Sequence, residues 1–332
     1  MKTLKIGVIG YGFMGKMHAS IYHELPQTEL VAVCDVDTNR FVGNPFPGVQ
    51  FYTNFKDLLN RPDIDAVSIC VSDRDHFAPA IYAAQAGKHI FLEKPIAIDL
   101  KEARQIVQEV EKNQVKLMIG FLLRFDPRYA SVKDLLEQGR IGDVVHIHAR
   151  RNSPKSEGPA RYKGSTSLVF HVTIHDLDLI LWFLNQKPKS VYAQTTSKAL
   201  KHYKMDDSVF AIIRFQDDTI VNLESSWALP EGSATKLDAY MEILGTQGMA
   251  RVECGFSGLW FCDSTNTSFP DTMHWPLVRG QVMGDLKEEL SQFANCVIHD
   301  TTPQVTGLDG VKSLELAWAI QESIETGKVI TF

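Results

Sequence analysis

The 332-residue chain has no run of eighteen apolar residues, so no segment reads as a helix able to cross a bilayer. Cysteine is scarce: five residues, an odd number, scattered at 34, 70, 254, 262 and 296 in apolar strand-like or helical surroundings. That excludes a disulfide scaffold, offers no zinc spacing and suggests reduced, cytoplasmic thiols. Positive charge is not in excess, since 34 Lys and Arg against 40 Asp and Glu give a net charge of -6. Nucleic-acid affinity rests on basic patches, so small molecules are the expected partners. The opening "MKTLKIGVIG" lacks the charged, apolar and small-residue sections of a secretory signal, and no internal repeat or low-complexity segment is evident. What remains is an ordinary globular composition, 44% apolar and 22% charged, at a length that favours two domains over one.

The chemistry starts at "VIGYGFMGKMHASIY", where Gly10, Gly12 and Gly15 stand between an apolar strand and a helical pattern. Three glycines in six positions need either unusual φ or the close approach of something to the main chain. In a strand-to-helix turn the first allows the tight turn, the second lets a pyrophosphate approach, and the third lets helix and strand pack. Free N–H groups at the helix start then attract the phosphates, so the expected ligand is a dinucleotide. Twenty residues beyond Gly15, "VAVCD" ends in Asp35, placed to bond the adenosine ribose hydroxyls. A 2′-phosphate beside that carboxylate would be repelled by about 4 kcal/mol at 4 Å for an effective dielectric of 20, so NAD is favoured over NADP. Arg40 partly offsets that repulsion.

Up to about residue 120 the chain alternates apolar runs ("LKIGVIG", "ELVAVCD", "DAVSICVS", "HIFLEKP", "KLMIGF") with helical stretches at 12–23, 75–86 and 99–113, the last opened by Asp99. This βαβ rhythm implies a doubly wound parallel sheet. Beyond Arg124 a helix at 126–138 leads to strands at 143–151, 189–197, 206–215, 218–227, 237–245 and 248–254, a mostly antiparallel sheet in an α+β domain. Val145, Ile147 and Ala149 alternate with His146, His148 and Arg150, and Val221, Leu223, Ser225 and Trp227 with Asn222, Glu224 and Ser226. One sheet face is therefore core; the other is either solvated or covered by a second subunit. Helices at 285–299 and 309–326 follow, the second capped by Asp309 and stopped by Gly327. The expected boundaries are 1–121 and 122–332, with the last helix able to pack back near the first domain.

Two places are chemically odd. Glu93 and Lys94 end an apolar strand that Pro95 blocks, leaving an amine at the carboxyl edge of the sheet, where open α/β folds bind ligands. "SLVFHVTIHDLDLILWF" reads as a buried helix capped by Ser167, on which His171, His175 and Asp178 form a narrow stripe at 100° per residue. The stripe is either a hydrogen-bonded core pair or the wall of a site; no third ligand completes a metal set, and none is expected. The run "ARRNSPKSEGPARYKGS" sets Arg150, Arg151, Lys155, Arg161 and Lys163 against Glu157, either as a solvated loop or as a preference for an anionic ligand.

With those residues in view, the chain resembles the glucose-fructose oxidoreductase and inositol dehydrogenase family over nearly its whole length. "GVIGYGFMG", "VAVCD", "VSDRDHFAPAIYAAQAGKHIFLEKPIA", "GFLLRFDPRYASVKDLLEQGRIGDV", "HVTIHDLDLILW" and "LGTQGMARVE" carry the likeness, the glutamate-lysine-proline triplet most specifically. The resemblance implies a Rossmann domain, a second domain whose open sheet joins subunits into a dimer or tetramer, and NAD(P)-dependent oxidation of a sugar, cyclitol or related polyol. Lys94 then becomes the active-site lysine and His175 the acid/base histidine. Cofactor contacts are expected from Gly10, Gly12, Phe13, Met14, Gly15, Asp35, Ser72, His76, Glu93 and Lys94. Substrate contacts or orientation are expected from His171, Asp178, Arg124, Arg151 and Tyr162. Many relatives have an aspartate where this chain has His171, and glycines where it has Ser165, Thr166 and Ser167. An imidazole supports a neighbouring cation less than a carboxylate does. A glycosidase using bound NAD transiently and a nicotinamide-binding regulator are the competing classes.

Overall fold

The computed structural model describes residues 3–43, 45–159, 166–256, 258–265 and 267–332. The chain divides into two compact units, residues 1–125 with 274–311, and residues 126–273 with 312–332.

The first unit is built on six parallel strands, β1 (Leu4–Ile9), β2 (Thr28–Cys34), β3 (Gln50–Tyr52), β4 (Ala66–Ile69), β5 (His89–Glu93) and β6 (Leu117–Gly120), in spatial order 3-2-1-4-5-6. The helices α1 (Phe13–Glu24), α2 (Phe55–Leu59), α3 (Phe77–Gln85) and α4 (Leu100–Lys112) join them. The strands are apolar on both faces because helices cover both, and Ile6, Val8, Val67, Ile69, Ile90 and Phe91 are fully buried. Asp99 opens α4 as expected, its carboxylate accepting from the N–H groups of Lys101 and Glu102. The short α2 and the largely exposed edge strand β3 have too few apolar residues to announce themselves in the sequence.

In the second unit α5 (Pro127–Glu137) is capped by Asp126. Seven strands form one mixed sheet: β7 (Val144–Pro154), β8 (Pro188–Thr196), β9 (Ser208–Phe215), β10 (Ile220–Leu229), β11 (Asp238–Gly245), β12 (Met249–Glu253) and, after two minor hairpins, the terminal strand Ile330–Thr331. All neighbouring pairs are antiparallel except β7 with β10. The expected alternation holds for Ile147, Ala149, Val221, Leu223, Ser225 and Trp227, all buried, whereas Val145, at the strand's start, is 48% exposed. Helix α6 (Ile174–Leu184) follows a π-wound turn, Val169–Thr173.

The minor hairpins pair β13 (Phe261–Cys262) with β14 (Thr267–Ser268) and β15 (Leu277–Val278) with β16 (Gln281–Val282). Then α7 (Asp285–Ile298) belongs to the first unit, its Leu286, Leu290 and Phe293 fully buried and Phe293 meeting Phe91 edge-on at 5.7 Å. Helix α8 (Gly307–Thr326) leads to β17, the terminal strand Ile330–Thr331, and ends at Gly327 as expected, with φ +68°. Its cap differs from expectation. Thr306 is the cap and Asp309 its reciprocal partner three residues on: the carboxylate accepts from Thr306 N–H (2.8 Å) while Asp309 N–H donates to Thr306 Oγ1 (3.2 Å).

One carboxylate in the second unit is purely structural. Asp207, 4% exposed, accepts from the backbone N–H groups of Lys198, Ala199 and Leu200. Burial opposes its charge, but the three donors win and hold its pKa below the ordinary aspartate value. A depressed native pKa stabilises the fold above the unfolded value near pH ~4, and this is lost as pH falls through the native one. Asp207→Ala should cost about 1–3 kcal/mol at neutral pH, the penalty of buried donors left unmade. Its melting temperature should approach that of wild type as the pH is lowered below ~4; an unchanged gap between the two proteins at pH 7 and pH 3 would contradict this.

Candidate active site

In the first unit the glycine loop lies where strand order reverses, between β1 and β4, at the carboxyl ends of the strands. Gly10 has φ +88°, and a Cβ there would stand 2.6 Å from the Cys70 carbonyl. A Cβ on Gly15 would stand 1.8 Å from the Gly10 carbonyl oxygen, so only glycine lets α1 begin this close to the loop. Gly12 stands at the cap of α1 with no side-chain hydrogen bond closing the helix start, the end of a helix that favours a phosphate. Asp35 is tied to the same loop: its carboxylate accepts from Tyr11 N–H (2.7 Å) and Asp37 N–H (2.9 Å). Each oxygen keeps a further acceptor site for a ribose hydroxyl. Arg40 Nε approaches Asp35 at 3.6 Å and its guanidinium lies over Gly12. These residues fit a dinucleotide: a glycine cradle, an uncapped helix start and a carboxylate at the end of the second strand.

Of the other expected contacts in this unit, Phe13 is 45% exposed at the first position of α1, edge-on to Trp275, and Ser72 is exposed beyond β4. Met14 is half-buried. Arg124, 3% exposed, reaches the Gln304 carbonyl (3.4 Å) and Asp309 (3.6 Å). His76 is 1% exposed; burial lowers its pKa, and its ring nitrogens lie 2.8 Å from the Pro95 carbonyl and 3.3 Å from that of Val71.

Glu93 ends β5 and Lys94 follows it at the carboxyl edge of the sheet. Burial opposes the Glu93 charge, yet His18, then Lys94 and His76, hold its pKa below the ordinary carboxylate range. Its Oε1 is 3.1 Å from His18 Nε2, while Oε2 accepts from Lys94 N–H at 3.3 Å. Sequence reasoning missed His18. The only signal was a histidine on the otherwise apolar inner side of α1, three residues past Gly15.

In the second unit Ser167 caps the helix as expected, its Oγ accepting from Phe170 N–H at 3.4 Å. The stripe is wound differently. Its first turn, Val169–Thr173, is π-helical, so His171 sits on a wider turn than a uniform 100° spacing assumes, while His175 lies in the α-helix that follows. His171 and His175 are half-buried, whereas Asp178 is 1% exposed. The His171 ring lies 6.0 Å from Trp227, whose indole packs against Gly158, where a Cβ would come within 2.4 Å. Between the histidine and the aspartate of the stripe stands Asp176, 1% exposed and bound on both oxygens by Arg151 (Nε and Nη2, 2.9 Å each). Arg151 Nη2 also lies 3.5 Å from Tyr129 Oη. Of the expected roles for Arg151, substrate binding or orientation, this geometry suits orientation, through the residue next to His175.

Arg150, half-exposed, pairs with Asp238 at 2.8 Å, so with the buried Arg151 two cations of the basic run are already paired within the chain and the run does not present itself as one anion-binding block. Tyr162, Arg161 and Lys163 lie outside the described residues.

Known proteins agree with this construction. Residues 4–121 match an oxidoreductase family with an NAD-binding Rossmann fold, and residues 129–251 match the C-terminal domain of the same family. The chain belongs to the Gfo/Idh/MocA family. It is 27% identical to the myo-inositol 2-dehydrogenase of Thermotoga maritima, over 97% of this chain and 96% of that protein. It is 28% identical to the scyllo-inositol 2-dehydrogenase (NAD(+)) of Bacillus subtilis, over 98% and 95%. The crystal structure of scyllo-inositol dehydrogenase from Lactobacillus casei with bound NAD(H) and scyllo-inositol superimposes with a TM-score of 0.85 at 26% identity, covering 99% of both chains. As a Gfo/Idh/MocA oxidoreductase the chain binds NAD through its first unit. Among its described residues no helix is long and apolar enough to cross a membrane.

Proposed function

We propose that the chain is an NAD-dependent dehydrogenase that oxidises a carbinol carbon of a cyclitol or closely related sugar, reversibly. The observation that carries this reading is the end-to-end likeness to inositol dehydrogenases, joined to a glycine cradle and Asp35 that suit NAD. Bound NAD supplies the hydride acceptor. Lys94, cationic beside the Glu93 carboxylate, holds the substrate hydroxyl and stabilises the oxygen as its proton departs. His175 takes that proton, a task suited to an imidazole because its ordinary pKa lies near neutrality. His171 and Asp178 orient the ring and His175, and the Asp176–Arg151 pair steadies the helix start from which His175 projects.

We further infer a homodimer or homotetramer formed through the outer face of the second unit's sheet. Phe210, Ile212, Ile220 and Met249 are 45–55% exposed there, beside a groove of about 750 Å³ lined by His146, His148, Arg150, Tyr240 and Glu242. The cysteines are all free, which suits a reducing compartment, and we place the enzyme in the cytoplasm.

The test is a panel of inositols, aldoses, sugar acids, sugar phosphates and nucleotide-sugars with NAD, read by NADH absorbance. Cyclitols or neutral sugars should give the highest kcat/KM, with NAD preferred to NADP. Cleavage of a glycoside with no NADH rise would point instead to transient oxidation, and better turnover with NADP would overturn the role given to Asp35.

A further inference from the structure

The mechanism leaves one buried ion pair without a task. His18 is 0% exposed in the second turn of α1, the helix that starts on the glycine loop. Its Nε2 faces Glu93 Oε1 at 3.1 Å; its Nδ1 faces Ser68 Oγ, in β4, at 2.7 Å and Cys70 Sγ, just beyond that strand, at 3.3 Å. Phe91 and Tyr22 close the ring edge-on. Burial alone would keep this imidazole neutral, but Cys70 and Glu93 outweigh it and push its pKa up to about 10. Glu93 is hemmed in from another side, with Gly120 so near that a Cβ there would stand 3.2 Å from Oε2. Nearby lie Lys94 and His76, which face Glu93, and Glu289 of α7, which faces Tyr22.

We propose that His18 is a positioning residue for Lys94, locking the Glu93 carboxylate, and with it the end of β5, to the helix that begins at the dinucleotide loop. This rests on the role given to Lys94 above. Two buried charges in one cage cannot slide past each other without leaving one unpaired, so the pair ties the lysine's backbone to the cofactor loop more rigidly than apolar contact does. His76, bonded to the Pro95 carbonyl, steadies the other side of the lysine. The charges also matter to Lys94 directly: the imidazolium offsets the carboxylate that the ammonium would otherwise feel in full.

The experiment compares wild type, His18→Gln, His18→Gln/Glu93→Gln and Lys94→Ala on the best substrate, measuring kcat across pH and the Kd for NAD by titration calorimetry. Displacing a reacting group by about 1 Å costs on the order of 10²-fold, so His18→Gln should lower kcat by at least about tenfold with the Kd for NAD within about threefold. Its alkaline kcat limb should move to higher pH, because the unpaired carboxylate now holds the lysine's proton more tightly. The double variant, an amide pair with no buried charge, should return the limb towards wild type and recover at least about threefold in kcat over the single variant, while staying about three- to tenfold below wild type. A double variant no better than the single one, a loss confined to NAD affinity, or kcat within about twofold of wild type in either variant overturns the proposal. If His18→Gln does not fold, the last comparison still decides through the double variant. Near-normal turnover by Lys94→Ala would instead remove the lysine's own role, whatever His18 does.

Discussion

Replacing Lys94 by alanine is expected to lower kcat by about 10²- to 10³-fold on the best substrate, the usual loss when a charged contact to a developing oxyanion is removed. The NAD affinity should fall far less than kcat, because the glycine cradle, the start of α1 and Asp35 are untouched. His175→Ala should lower kcat by about 10²- to 10⁴-fold, the range for a lost general base, and should remove from the pH profile the limb that Lys94→Ala retains. Lys94→Arg should not rescue, since a planar guanidinium cannot replace a compact ammonium at one oxygen. Steady-state rates across pH settle the matter. If both alanine variants kept near-wild-type kcat, neither residue would touch the reacting atoms, and the family likeness would extend to fold and cofactor only.

The second large effect concerns stability. Arg151→Met should cost about 3–5 kcal/mol, because it leaves the Asp176 carboxylate buried without its partner. The arginine's side chain is 7% exposed and that of Asp176 is 1%, so water cannot take over. Activity should fall with stability, since Asp176 follows His175 at the start of α6. Arg151→Met with Asp176→Leu should recover most of the stability, as apolar replacement of a whole buried pair is often neutral. Urea denaturation of the three proteins, followed by circular dichroism, measures this. A single variant as stable as wild type would mean that the pair is solvated or replaceable, and His175 would have to be steadied by other contacts.

Much of this protein was readable before its structure. Glycines at 10, 12 and 15, the apolar strands and the capping residues at 99 and 167 carry local physics, and each names its element without distant partners. The same holds for the second unit's strands, whose period of two survives into the sheet nearly residue by residue. Less legible were β3 and α2, which are short and depend on the larger sheet for support. The return of residues 274–311 to the first unit was hidden as well, because an amphipathic stripe such as Leu286, Leu290 and Phe293 states that a core is needed but not which one.

The candidate site divides along the same line. Glycine spacing and a carboxylate at a strand end determine a dinucleotide loop by themselves, since the steric demands act within a few residues of the backbone. A lysine before a proline and two histidines four apart mark chemistry, but their partners are chosen by the fold. Tertiary structure alone matched His18 with Glu93, bound Arg151 to Asp176, turned His76 towards Pro95 and wound the His171 segment as a π turn. Charge pairing depends on distance in space, and residues 75 or 25 positions apart become neighbours only when the strands and helices carrying them have packed.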